Sequence, residues 1–206
     1  MISEMEGWAN FHLKGRKPDF TYIGETHMDM KKVLKEILST VIYLGVVFLL
    51  TFLFITFVMQ RTEVSGHSME PTLYDHDSLL IEKVTYRFGD ANRYDIVVFP
   101  YRYGKNEYFI KRVIGLPGET VNIDLDGKIY INGEVLDEDY GAETILDPGV
   151  AFDGVTLGED EYFVMGDNRN HSMDSRDPSV GVINKKDILG HAFLRIYPFD
   201  SFGGIN

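Results

Sequence analysis

Twenty-three consecutive residues, 37–59, carry no charge: ILSTVIYLGVVFLLTFLFITFVM. Wound as an α-helix at about 1.5 Å per residue, the run reaches roughly 34 Å, enough to cross a hydrocarbon layer about 30 Å thick. No polar stripe interrupts it, which argues against a helix packed inside a soluble core. A cleaved leader would show an apolar stretch of about 7–15 residues that closes on small side chains. This run is longer and closes on Val58-Met59-Gln60-Arg61, so the sequence predicts one uncleaved transmembrane helix. Lys31, Lys32 and Lys35 stand before it and only Arg61 just after. The positive-inside rule then puts the N-terminus in the cytoplasm and the C-terminal part outside the plasma membrane.

Divided at this run, the chain is uneven in charge. Residues 1–36 hold six Lys/Arg and six Asp/Glu, whereas residues 61–206 hold 14 Lys/Arg against 26 Asp/Glu, so the whole net of −12 lies beyond the span. Nucleic acid is excluded as a partner, because phosphate binding needs clustered cations; the acidity serves solubility. The chain has no cysteine, which removes disulfides, thiolate metal sites and a cysteine nucleophile. Residues 1–36 read as a cytoplasmic tail, partly disordered, in which His27-Met28 resembles a cloning junction.

Beyond Arg61 the pattern turns to short β-type runs separated by Gly, Asn, Asp and Pro. Strands are predicted over residues 79–84, 95–99, 108–114, 120–123, 128–131, 162–165 and 191–197. Asp126-Gly127 and Asn132-Gly133 are hairpin turns, since both dipeptides accept positive φ. The expected fold is mainly β: an antiparallel-sheet domain over residues 61–206, with 118–158 as a small inserted β subdomain, behind one N-terminal transmembrane helix.

Two segments hold candidate chemistry. In the strand Tyr108-Phe109-Ile110-Lys111-Arg112-Val113-Ile114, side chains alternate, so Lys111 shares a face with Phe109 and Val113 while Arg112 shares the other with Ile110 and Ile114. Most cations so placed snorkel outward or find a carboxylate. A lysine held among apolar groups also becomes a base, because desolvation penalises its charged form and lowers a pKa that is ordinarily about 10.4. The second segment is Ser65-Gly66-His67-Ser68-Met69-Glu70-Pro71-Thr72-Leu73. Gly66 permits close backbone approach and Pro71 fixes a turn; taken alone, this segment reads first as an ordinary serine-bearing turn.

Taken together, the segments resemble the bacterial type I signal peptidase family, Gram-positive branch, at four places in order. Ser68-Met69-Glu70-Pro71-Thr72 is similar to its nucleophile box, and Arg93-Tyr94-Asp95-Ile96-Val97-Val98-Phe99 to the strand that follows. YFIKRVIGLPGE, starting at Tyr108, is similar to its lysine box, and GDNRNHSMDSR, starting at Gly166, to its last signature. The resemblance implies a membrane-bound serine endopeptidase that removes signal peptides from secretory precursors, cutting after small-x-small motifs. It implies Ser68 as nucleophile, Lys111 as base and Ser172 as the hydroxyl that orients the lysine amine. Asp174 with Arg176, and Asp167 with Arg112, are braces. The Ser68 backbone N–H is the first oxyanion donor; the hydroxyl that supplies a second in some members, two positions earlier, is absent because Gly66 stands there, so the second donor is an unassigned backbone N–H or water.

Val64, Leu73, Phe109 and Ile110 stand where relatives line the substrate pockets, and the alternative for each is ordinary core. Met69 is expected at the lipid surface. A histidine triad drawing on His67, His171 and Asp174 is disfavoured, since His67 in an extended segment points away from its neighbour Ser68. No HExxH or EF-hand spacing is present, so no cofactor and no metal are expected. The expected partners are signal-peptide-bearing precursors and the lipid bilayer. Self-cleavage by the same chemistry, as in SOS-repressor-type proteases, would come with a DNA-binding region and no anchor. A non-catalytic anchored β domain would have no need of both Ser68 and Lys111.

Overall fold

The computed structural model describes residues 30–205; of the tail read over 1–36, residues 1–29, His27-Met28 among them, lie outside these, and the remaining seven are helical. The chain divides into two units at Val46/Val47. Helix α1, Met30–Val58, is long and apolar enough to span a bilayer. It begins earlier than the uncharged run, taking in all three flanking lysines, and stops one residue sooner. Met59 opens a strand instead, because the Val58 carbonyl accepts the Lys83 N–H at 2.9 Å and the next residues pair with a neighbouring strand.

The rest is β-rich. In chain order come β1 Met59–Glu63, β2 Ser78–Glu82, the short helix α2 Thr85–Phe88, β3 Ile96–Pro100, β4 Tyr108–Gly115, β5 Thr120–Ile123, β6 Ile129–Ile131 and β7 Glu134–Val135. Then follow β8 Val155–Thr156, β9 Glu161–Met165, β10 Ile183–Asn184, β11 Gly190–Tyr197 and β12 Gly203–Gly204. All seven predicted strands form, within a residue or two at their ends. The polar strand β1 and the short β7, β8, β10 and β12 were not foreseen.

Every pairing is antiparallel. The larger sheet runs β1-β2-β11-β3-β4-β9-β10, with β12 beside β11, and the smaller runs β7-β6-β5-β8. The hairpins follow the Gly-bearing dipeptides: Gly127 has φ 76° between β5 and β6, and Asn132 and Gly133 have φ 53° and 86° between β6 and β7. The smaller sheet lies wholly within residues 118–158. Its Val121, Ile123 and Ile129 share one apolar cluster with Ile114, Phe163 and Met165 of the larger, so the two sheets stand on a common core.

At Gly115, the end of β4, the two sheets leave no room for a side chain. A Cβ built there lies 2.5 Å from Val121 Cγ2, 2.8 Å from Leu157 Cδ1 and 3.0 Å from Phe163 Cβ. Gly115→Ala is therefore expected to overpack the junction and destabilise the domain by about 1–3 kcal/mol, read as a lowered urea midpoint at unchanged m-value.

Candidate active site

Strand β4 presents its two cations to opposite sides, as alternation requires, and both are buried: Lys111 is 3 % exposed and Arg112 0 %. Arg112 meets Asp167 through two bonds, Nε to Oδ1 at 2.9 Å and Nη2 to Oδ2 at 2.8 Å. It also donates to the Tyr94 carbonyl at 2.9 Å and stacks on the Tyr140 ring. Thr72, four residues after Ser68, donates to the same carboxylate at 2.6 Å.

Lys111 has a different environment. Its Nζ donates to Ser68 Oγ at 2.7 Å and to the Ile110 carbonyl at 3.0 Å, and lies 5.1 Å from the centre of the Phe109 ring. No carboxylate among the described residues forms an ion pair with it. Burial pushes its pKa down to about 8, against a smaller upward pull from Asp174 and Asp167.

Ser68 is fixed by backbone contacts on either side. Its carbonyl accepts the Asn168 N–H at 3.1 Å, and Asn168 Nδ2 donates to the His67 carbonyl at 3.0 Å. The Gly66 N–H, at a residue with φ 98°, donates to Asp75 Oδ1 at 2.8 Å. That amide is therefore engaged and cannot serve as the missing oxyanion donor. The Ser68 N–H has no acceptor among the described residues.

The signature loop is braced from within. Asp174 takes Arg176 Nε and Nη2, each at 2.8 Å, and the Gly166 N–H at 3.0 Å. Ser172 departs from expectation: its Oγ is buried without a hydrogen-bond partner, so the bond to the lysine amine that the resemblance implies is not made in this structure. Met69 departs too. It is 1 % exposed, in an apolar cluster with Leu73 and Val64, rather than at a lipid surface.

Around Ser68 and Lys111 opens a cavity of about 430 Å³ lined by Val64, Phe109 and Ile110, with His171 and Met173 at its side. Leu73 is fully buried in the core and is not among the lining residues. Neither candidate triad histidine bonds Ser68. His67 is exposed and its Nδ1 contacts Glu70 Oε1 at 2.8 Å; Asp174 is taken by Arg176.

The chain matches the family described as signal peptidase, peptidase S26, over residues 35–197. It belongs to that family. Probable signal peptidase I-2 of Synechocystis sp. is 42% identical over 153 residues, covering 72% of this chain and 67% of its own. Signal peptidase I S of Bacillus subtilis (strain 168) is 34% identical over 183 residues, covering 84% of this chain and 95% of its own. A solved signal peptidase I chain from Enterococcus faecalis V583 is 36% identical, covering 49% of this chain and 95% of that one, with a TM-score of 0.41. This peptidase is thus a signal peptidase I enzyme, with one N-terminal apolar helix suited to a single-pass membrane protein.

Several residues that hold the site were not singled out from sequence. Thr72, Asn168 and Arg169 stand inside the motifs but took no role there, since their partners Asp167, His67 and Glu138 are distant in the chain; Asp75 and Glu138 lie outside the motifs. Gly166 stood inside a quoted motif, but its role is steric: a Cβ there would collide with the Ser68 carbonyl oxygen and with Ser172 Oγ. Gly166→Ala is expected to displace Ser68 and lower kcat on a secretory precursor by about a hundredfold, with a circular-dichroism melt showing a folded domain.

Proposed function

We propose that the peptidase cuts precursors with a Ser68–Lys111 dyad. The observation that supports it above all others is the 2.7 Å contact between the Lys111 amine and the Ser68 hydroxyl at a lysine almost wholly removed from water. In the neutral amine the contact reverses direction, the hydroxyl donating to the nitrogen lone pair. Lys111 then takes the proton as Ser68 Oγ attacks the scissile carbonyl, and returns it to the leaving amine as the acyl-enzyme forms; water, activated by the same amine, releases the acyl group. The unpartnered Ser68 N–H meets the developing oxyanion. Ser172 is assigned the orienting role because its buried hydroxyl has no partner and would gain one by turning toward the amine. Arg112, Asp167, Asp174 and Arg176 hold the geometry without touching substrate.

The substrate lies as an added strand. β1 is a terminal strand of its sheet, and residues 108–111 of β4 pair only with β3, because the described β9 pairing starts at Arg112. Both edges border the cavity, so an extended peptide finds main-chain donors and acceptors there. Val64, Phe109 and Ile110 restrict the space beside Ser68 to small side chains, which gives the small-x-small preference. The N-terminus is cytoplasmic, the apolar part of α1, from residue 37 on, crosses the membrane, and residues 61–206 meet precursors on the outer side.

Two measurements test the dyad. Ser68→Ala and Lys111→Arg are each expected to abolish cleavage of a small-x-small precursor while the protein stays folded, since arginine cannot be deprotonated; a cleaving Lys111→Arg would refute the lysine base. In wild type, kcat/KM is expected to climb about tenfold per pH unit toward about 8 and level off above it, because only the uncharged amine is active. A flat profile from pH 6 to 9 would rule out Lys111 as the titrating base.

A further inference from the structure

The cavity at Ser68 does not stop at the small-residue pockets. Thr62, Val98 and Tyr108 also line a second hollow of about 300 Å³, together with Gln60, Ile81 and Leu189. Its floor is Ile81 of β2 and Val98 of β3. Its walls are β1 on one side and Tyr108 of β4 on the other, the same two open edges that border the first cavity. The lining at Ile81, Val98 and Leu189 is aliphatic, and Lys83 borders it.

We infer that this hollow is a side-chain subsite for the fifth precursor residue upstream of the cut bond, and that it takes an apolar side chain. It rests on the reading that the precursor lies extended between β1 and β4. The direction comes from the chain: Gln60 stands two residues after Val58, the end of the apolar helix, and the membrane-inserted part of a signal segment lies upstream of its cut. The position comes from strand geometry. Val64 borders the small-residue end and Gln60 the second hollow, four residues apart, about 13 Å at about 3.3 Å per residue. Four substrate residues in the same extended form cover the same length. Side chains alternate with period two, so the fifth residue faces the floor as the first and third do. An aliphatic floor selects an apolar group there, and the neighbouring Lys83 ammonium opposes a cationic one.

The experiment compares cleavage of one small-x-small precursor carrying Leu, Ala or Lys at its fifth upstream position, by wild type and by Leu189→Glu. Leu189 is 43 % exposed, so the substitution leaves the core intact. Wild type is expected to cleave the Leu precursor about tenfold faster in kcat/KM than the Lys precursor, mainly through KM, with smaller effects of the same exchange at the fourth and sixth positions. Leu189→Glu is expected to shrink that Leu-to-Lys ratio about tenfold. A wild type indifferent to the fifth residue, or a ratio that Leu189→Glu leaves unchanged, overturns the subsite. Failure of the underlying reading looks different: no precursor is then cut, or cutting ignores the first and third residues as well.

Discussion

Taking one ammonium group out of water without giving it a carboxylate is the constraint on which this site rests. Removing charge from solvent is costly, and β4 buries two cations side by side in sequence. The outcomes differ because the chemistry of the two groups differs. Arginine cannot shed its proton, so Arg112 receives a carboxylate, a carbonyl and an aromatic face. Lysine can, so Lys111 is left with a hydroxyl and a carbonyl. The acids near enough to keep it charged, Asp174 and Asp167, are held by Arg176 and Arg112. The arginines thereby keep the lysine easy to deprotonate as well as the loop in place.

Around that amine the structure is a set of stitches between segments far apart in the chain. Asn168 ties the last signature to the carbonyls of His67 and Ser68, and Thr72 and Arg112 share Asp167, while the local contact from Asp75, nine residues on, holds the turn at Gly66. Each joins groups whose separation would set the Lys111–Ser68 distance. A hydrogen bond of this kind adds only about 1 kcal/mol net to stability, but a reacting pair misplaced by about 1 Å loses far more in rate.

The apolar helix, the seven main strands and the two hairpins were legible in sequence because each has its own local sign: absence of charge, alternation, or a dipeptide that accepts positive φ. Strand β1 was not, since Met59-Gln60-Arg61-Thr62-Glu63 shows no alternation of apolar and polar residues and is a strand only by pairing with β2. Lys111 and Ser68 were legible as a pair through their motifs, yet their proximity is a product of topology, since they stand 43 positions apart. Steric needs such as that at Gly166, and the interior position of Met69, arise only once distant segments are packed together. The Ser172 hydroxyl was placed by resemblance, and its actual surroundings depend on a rotamer that no sequence pattern specifies.

The exposed edges of β1 and of the first half of β4 impose a demand on any chain that enters between them. Ladder bonds form only with a peptide whose own amides and carbonyls are unused. A helix, or a strand already paired on both sides, has committed those groups, so it offers such an edge nothing. On the proposed binding mode, selection by conformation comes before selection by side chain: a stretch would be read only while it is unravelled, and a junction that folds early would escape whatever residues it carries.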